Sequence, residues 1–218
     1  MTTQNNRYAV LTGDIVGSSK LEPGQLKDVM DRLRKSVARF KQTYPDAILG
    51  NLDVYSGDSW QLLMPDWQRS LRAALYVRAV IKSIEKLKLD TRVALAWGDI
   101  DEATLNPDRI SESTGPAFQA SGRALEKMPK GVRMAFVQDN GDSQRFGELL
   151  SGAVLLLDEI VGGWSLNQAQ AVSLALLCIN QRDIGRELGV TQPNVQKTMQ
   201  RARWHGVEQF LEVAEKAV

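Results

Sequence analysis

Two aspartates, each in a Gly-Asp turn beside a strand-like run, are the residues best suited to chemistry. Asp14 lies in the segment Gly13–Ser18, after the apolar run Tyr8–Leu11, and Asp58 lies in Ser56–Ser59 between two strand-like segments. Magnesium takes one or two protein carboxylates and fills its other positions with phosphate oxygens and water. The turns therefore predict a site for Mg²⁺ or Mn²⁺ and a nucleotide, with Asp14 and Asp58 as the metal ligands.

The first turn also contains groups suited to binding phosphate. Its glycines allow the backbone N–H groups of Ile15, Val16, Gly17 and Ser18 to curl around an anion. The alternative is that both turns are ordinary strand connections, in which Gly and Asp are favoured for their backbone conformations.

Two further segments, Arg92–Gly98 and Thr114–Leu125, follow in an order that resembles the class III nucleotidyl cyclase domain over about residues 7–137. The resemblance implies that Asp14 and Asp58 hold the metal ions. It places Gln119 where the family has a ribose-orienting Asn, and Arg123 where the family has an Arg that stabilises the transition state. The family's base-contacting positions fall on Val54 and Glu112.

The departures from the family pattern separate binding from catalysis. Gln119 is one methylene longer than Asn, and an ångström of misplacement of a reacting group costs on the order of a hundredfold in rate. We therefore expect a domain that binds a nucleotide, in which Gln119 and Arg123 are catalytic only if activity remains. The alternatives are an active cyclase that makes a cyclic nucleotide, and an interaction protein that binds neither metal nor nucleotide.

The C-terminal part shows the starts of three helices. Ser165, Asn180 and Thr191 are suitable N-cap residues, and Pro193 falls in the first turn of the third helix. This spacing predicts a helix-turn-helix and resembles the DNA-binding helices of sigma-factor region four. The residues expected to pack inward are Ile184, Leu188, Val190, Val195 and Met199.

The third of these helices presents hydrogen-bonding and basic side chains with no acidic residue among them. Such side chains can contact phosphates and base edges of double-stranded DNA. The alternative is a helical hairpin whose polar face is only solvated or serves dimerisation. The residues predicted to contact DNA are Thr191, Gln192, Asn194, Gln196, Lys197, Gln200 and Arg201.

The order of elements predicts an α/β (α+β) protein, with a ferredoxin-like βαββαβ palm of the nucleotidyl cyclase type followed by a small all-α domain. Helices are expected over 25–44, 66–88 and 115–127, and later strands over 93–97 and 132–137. We divide the chain into a cyclase-like domain (1–142), a connecting helix (143–164) and a helix-turn-helix domain (165–218).

Composition restricts the class of protein. The 218 residues are 43% hydrophobic and 24% charged, and no uncharged apolar run is long enough to span a membrane, so we expect a cytoplasmic protein without a membrane partner. Cys178 is the single cysteine, which excludes an intramolecular disulfide, and its apolar surroundings predict a buried side chain.

A cyclase-like domain followed by such a module resembles the SatD-type family of bacterial regulators. That resemblance implies a homodimeric DNA-binding transcription regulator. In cyclases the metal-binding aspartates and the Asn and Arg come from different subunits. By this resemblance, Asp14 and Asp58 would face Gln119 and Arg123 of the partner subunit, and the bound nucleotide would bridge the two.

Overall fold

A computed structural model describes residues 7–85, 87–138 and 144–216. The described residues form a five-stranded sheet and eight α-helices. The strands are β1 (Tyr8–Val16), β2 (Leu49–Ser56), β3 (Ser59–Met64), β4 (Asp90–Gly98) and β5 (Met134–Gln138). The helices are α1 (Pro23–Thr43), α2 (Ser70–Lys82), α3 (Pro116–Glu126), α4 (Gln144–Gly162), α5 (Leu166–Ala175), α6 (Gln181–Leu188), α7 (Gln192–Arg201) and α8 (Trp204–Lys216).

The strands lie in the order β2-β3-β1-β4-β5. Strand β1 pairs antiparallel with β3 and with β4, whereas β4 and β5 are parallel because α3 connects them as a crossover. The first four strands with α1 and α2 have the strand order of a ferredoxin-like βαββαβ palm. The predicted fold class is therefore confirmed, with α3 and β5 as additions.

The helices cover both faces of the sheet. Because side chains alternate along a strand, Leu11 and Leu95 point into the large core beneath α1 and α2, whereas Val10 and Ala94 point to the face that α3 covers. The predicted inner face of α1 is buried, including Leu33 and Phe40. The sheet thus has two differently covered faces, and Asp14, which is predicted to bind a metal ion, lies on the α3 side.

The helices after the sheet share its core. Helix α4 packs along β5, and α5 packs on α2. Val154, Val172, Val195 and Leu211 all belong to the same buried cluster as the sheet residues. The predicted boundary at 142/143 lies outside the described residues, and the division at 164/165 stays a prediction.

Two local expectations were wrong. Helix α2 ends at Lys82 and not at residue 88, since the Ser83 hydroxyl donates to the Val80 carbonyl at 2.7 Å and competes with further helix formation. Cys178 is exposed, because it follows the end of α5 in a left-handed turn with φ of 58°. No helix in the described ranges combines the length and the apolarity needed to cross a bilayer.

Candidate functional site

The strand register brings the two Gly-Asp turns together. Asp14 of β1 lies opposite Ser59 of β3, and the Ile15 amide donates to the Asp58 carbonyl at 3.2 Å. The residues around this contact line an open cavity of about 490 Å³. Those predicted from sequence are Asp14, Ile15, Val16, Gly17, Ser18 and Asp58. The structure thus assembles the proposed phosphate turn and both aspartates, although their binding roles stay predictions.

Two glycines and a buried threonine fix the backbone at this point. Gly17 has φ of 78° and Gly57 has φ of 67°, conformations in which other residues are strained. The Thr91 hydroxyl donates to the Asp14 carbonyl at 2.6 Å, and it accepts a bond from Trp60 Nε1 at 3.2 Å. Asp14 is therefore held in place by its own carbonyl, independently of what its carboxylate binds.

The Asp14 carboxylate is paired with an arginine. Arg92 lies directly opposite Asp14 on β4; its Nε donates to Oδ1 at 2.9 Å and its Nη2 donates to Oδ2. The same guanidinium donates to the Leu125 carbonyl at 3.3 Å. The hydrogen bond to Asp14 raises the pKa of Arg92. The sequence alone does not predict this role, because the two residues meet through pairing of β1 with β4, which no local motif encodes.

Asp58 has neutral partners instead. The Ser18 hydroxyl donates to its Oδ2, and the Ser59 hydroxyl lies 3.4 Å from its Oδ1. Tyr55 stands nearby, half exposed, and burial together with the charges of Asp14 and Asp58 raises its pKa. Among the described residues, the Asp58 carboxylate therefore has no cationic partner, in contrast to that of Asp14.

Cations outnumber carboxylates around the cavity. Besides Arg92, the segment before β5 contributes Lys130 and Arg133 to the lining. Arg133 is positioned by its backbone amide, which donates to Asp158 Oδ2 at 3.0 Å. Lys130 and Arg133 follow α3 in a stretch without a motif, so the sequence alone does not mark them as site residues. Their charges suit the cavity to a multiply charged anion.

The donor set restricts the kind of metal site that is possible. Within the described residues, no group of three or more His, Cys, Asp or Glu side chains is placed to bind a metal ion. Magnesium needs only one or two carboxylates when phosphate supplies further oxygens. Asp14 and Asp58 therefore fit a divalent cation that arrives with a phosphate ligand. At Asp14 the cation would share the carboxylate with Arg92, whose two hydrogen bonds use part of its lone pairs.

The two predicted base-contacting residues lie on opposite sides of the sheet. Val54 packs against the large core under α1 and α2, whereas Glu112 lies in the turn 110–112, exposed, with bonds from Asn106 at 3.0 Å and Arg109 at 3.2 Å. The structure does not bring them together. Instead Asp53, whose side chain alternates to the other face, accepts bonds from the Ser111 amide and hydroxyl at 2.8 and 2.6 Å.

The predicted catalytic pair lies on the outer face of α3. Gln119 and Arg123 are both exposed, and Arg123 Nη1 donates to Gln119 Oε1 at 3.4 Å. The inner face is fixed by Ser121, whose hydroxyl lies 2.8 Å from that of Thr12. Neither Gln119 nor Arg123 lines the cavity of its own chain. They reach such a cavity only if a second chain presents it.

Helices α6 and α7 are joined by the short turn 189–191. Asn180 Oδ1 accepts bonds from the Arg182 and Asp183 amides at 3.1 Å, as expected of an N-cap. Thr191 occupies the N-cap position of α7 as predicted, without a side-chain capping bond. Val190 is 44% exposed, so the expectation that it packs inward was wrong. Ile184, Val195 and Met199 are buried as predicted.

The polar face of α7 is exposed. Its side chains form two adjacent stripes, because helix positions three and four apart share a face. One stripe contains Gln192, Gln196 and Gln200, and the other contains Asn194, Lys197 and Arg201. The second stripe borders a cleft of about 430 Å³ between α7 and α5. All the residues predicted to contact DNA, including Thr191, are exposed.

No family model matches the chain, and no curated protein matches it. Among solved structures, it is similar to a bacterial light-regulated adenylyl cyclase, with 17% identity, a TM-score of 0.43 and coverage of 62% of this chain and 44% of that chain. It is similar to the guanylyl cyclase Cya2, with 14% identity, a TM-score of 0.43 and coverage of 61% and 76%.

It is also similar to the guanylate cyclase domain of RhGC from Catenaria anguillulae in complex with GTP, with 14% identity, a TM-score of 0.46 and coverage of 61% and 79%. The chain spans less than half the length of the light-regulated cyclase.

Proposed function

We propose that the chain is a homodimeric DNA-binding regulator whose cyclase-like domain binds a nucleotide or a nucleotide-like anion. At the cavity, Arg92, Lys130 and Arg133 supply positive charge, and the turn 16–18 supplies backbone N–H groups, since the Ile15 amide already donates to the Asp58 carbonyl. A Mg²⁺ or Mn²⁺ ion that arrives with the phosphates would be held by Asp14 and Asp58 and would neutralise phosphate charge.

The DNA-reading element of the proposal is α6, the turn and α7, which we interpret as a helix-turn-helix. Gly189 has φ of 66° and ends α6 in the left-handed conformation that a sharp turn requires. The buried Val195 and Met199 fix which face of α7 points outward. The outward face combines Lys197 and Arg201 for phosphate contacts with glutamine and asparagine side chains for base edges.

One observation supports a link between the two sites: α1 reaches both of them. The helix begins at Pro23, just after the phosphate turn, and its 21 residues extend over about 30 Å. Near its other end, Arg39 Nη1 and Nη2 donate to Glu187 of α6 at 2.6 and 2.8 Å. A ligand that moves the start of α1 would therefore shift α6 and, with it, α7.

Fluorescence anisotropy with labelled genomic fragments, at several salt concentrations, tests DNA binding. We expect binding that weakens steeply with salt. Lys197→Ala combined with Arg201→Ala should lower the slope of log affinity against log salt by about two. Lys35→Ala, which removes an exposed cation from α1, is the matched control. Absent or salt-insensitive binding by the wild type contradicts the regulator proposal.

The same assay with ATP or GTP and Mg²⁺ tests the nucleotide site. We expect the nucleotide to change DNA affinity in the wild type and in Asp108→Asn, an exposed control, but not in Asp58→Asn. Arg39→Gln should still bind nucleotide by calorimetry while its effect on DNA is reduced. If the wild type binds neither ATP nor GTP, the proposed nucleotide site is contradicted.

Binding is favoured over cyclase activity because Gln119 is one methylene longer than the Asn that orients the ribose in cyclases, and an ångström of misplacement costs on the order of a hundredfold in rate. Incubation with each nucleoside triphosphate and Mn²⁺, followed by chromatography, distinguishes the two. We expect unchanged triphosphate, and a cyclic product would establish the catalytic alternative.

A further inference from the structure

One face of α4 carries large apolar side chains that are exposed. Leu149 is 75% exposed and Leu156 is 70% exposed. The opposite face of the same helix packs into the core through Leu150, Val154 and Leu157. Exposed leucines are ordinary when they are scattered, but two at a spacing of seven residues lie on the same side of the helix and form a patch.

Arg145, Leu149, Gly152, Leu156 and Glu159 occupy one line along the helix, at alternating spacings of four and three residues. We call this line the α4 stripe. Gly152, at its middle, has open space where a side chain would stand. Among the described residues, neither Arg145 nor Glu159 has an ion-pair partner. The stripe is thus apolar at its centre, with a free cation at one end and a free anion at the other.

The α4 stripe is complementary to itself when reversed. If a second copy of the helix lies antiparallel over Gly152, Leu149 meets Leu156 of the partner subunit, and Arg145 meets Glu159 of the partner subunit. The absent side chain at Gly152 allows the two helices to approach closely at the crossing point. A parallel arrangement would place like charges against each other. The order of residue types therefore selects the antiparallel pair.

From these features we infer that α4 is a dimerisation helix that pairs antiparallel with α4 of a second copy of this chain. The contact is isologous, so each residue pair occurs twice about a twofold axis. One helix pair buries less area than a standard stable interface, so we expect a weak dimer that dissociates on dilution. This pairing supplies the surface of the homodimer in the proposed function and rests on that proposal, but it requires neither DNA nor nucleotide.

Sedimentation equilibrium of the full, ligand-free chain tests this. We expect Leu149→Glu with Leu156→Glu to be monomeric at concentrations where the wild type is dimeric. Val213→Glu, at a residue that is 63% exposed on α8, should leave the dimer intact. All of these side chains are already in solvent, so circular dichroism and the thermal midpoint should change little.

The charges give a rescue test. Arg145→Glu alone and Glu159→Arg alone should each weaken dimerisation about tenfold, since each change breaks two ion pairs. The double variant Arg145→Glu/Glu159→Arg should recover it, because the pairs re-form with reversed signs. In a Cys178→Ser background, Leu149→Cys should cross-link with Leu156→Cys when the two proteins are mixed, but neither should cross-link well alone.

A monomeric wild type, a double leucine variant that still dimerises, or a charge swap without rescue would each overturn the inference. A dimer that persists through another surface leaves the proposed function standing. A protein that pairs through α4 but binds neither DNA nor nucleotide would contradict the proposed function and leave the α4 dimer standing.

Discussion

Arg39 and Glu187 form a two-bond contact between α1 and α6, at 2.6 and 2.8 Å. It is one of several contacts that hold the C-terminal helices on the helical layer of the sheet. Tyr44 of the segment after α1 donates to the Leu176 carbonyl at 2.7 Å, and Arg72 of α2 donates to Glu215 of α8 at 2.6 Å. Helices α6 and α8 are thus fastened to α1 and α2.

The Arg39–Glu187 contact predicts a pH dependence of stability. The bond from Arg39 lowers the pKa of Glu187 from its ordinary 4.5. A carboxyl whose pKa is lower in the folded state stabilises the fold above the unfolded value, and this contribution is lost as the pH falls through the lowered folded pKa. Because both side chains are 42% exposed, the contribution is at most about 1 kcal/mol.

Urea unfolding of wild type and Glu187→Gln therefore should differ by up to about 1 kcal/mol at neutral pH and converge below pH 4.5. Glu126→Gln, at an exposed position on α3, is the control and should match the wild type at every pH. A Glu187→Gln difference that persists unchanged in acid would mean that the ion pair is not its source.

Periodicity predicted most elements of the fold, because α1 and the strands each bury one face. The meeting of Asp14 with Asp58 was also predictable, since one hairpin pairs with the strand that precedes it. The register between strands that are distant in sequence was not predictable. Arg92 reaches Asp14 through strand pairing across 78 residues. Periodicity also does not encode the two register shifts in the pairing of β2 with β3, between Leu49 and Asp53 and between Val54 and Ser56.

Gly185 allows the close approach of α6 to the turn before α7. A β-carbon at this position would lie 2.7 Å from the Val190 carbonyl oxygen, so Gly185→Ala forces the turn to move. Overpacking of this kind costs about 1–3 kcal/mol, more than the helix propensity gained. Gly206→Ala in α8 is the matched control, since nothing lies within 4 Å of its β-carbon.

We expect urea unfolding to show Gly185→Ala destabilised by about 1–2 kcal/mol and Gly206→Ala unchanged or more stable by up to about 1 kcal/mol. If both alanines behave alike, the close approach of the Val190 carbonyl has no energetic weight.

Arg78 links α2, β4 and α4 from a buried position. Its guanidinium donates to Asp90 at 2.9 and 3.0 Å and to Asp158 of α4, and the side chain is 1% exposed. Arg78→Met leaves the buried Asp158 without a cation and Asp90 with only Lys82 at 3.7 Å, which costs about 3–5 kcal/mol. Arg34→Met, which breaks the exposed pair with Asp31, should cost less than about 1 kcal/mol.

Chemical denaturation measures both. Adding Asp90→Asn and Asp158→Asn to Arg78→Met should recover part of the loss, because the uncompensated charges are then removed. Equal costs for Arg78→Met and Arg34→Met, or no recovery on neutralising the aspartates, would show that burial of charge is not the cause.

Arg92 competes with a metal ion for Asp14. Its guanidinium engages both carboxylate oxygens, so a divalent cation at Asp14 would compete with it for lone pairs and be repelled by its charge. Arg92→Gln removes that competitor and a positive charge from the cavity. We expect the affinity of the nucleotide-free protein for Mn²⁺, measured by electron paramagnetic resonance, to rise roughly tenfold, the equivalent of about 1.4 kcal/mol.

Arg133→Gln is the matched control for this measurement. It also removes a cation from the cavity lining, but the Arg133 side chain donates to the Val132 carbonyl and not to a carboxylate. A general loss of positive charge would raise the Mn²⁺ affinity of both variants alike. A larger increase for Arg92→Gln, abolished by adding Asp14→Asn, would assign the effect to the Asp14 carboxylate that the guanidinium releases.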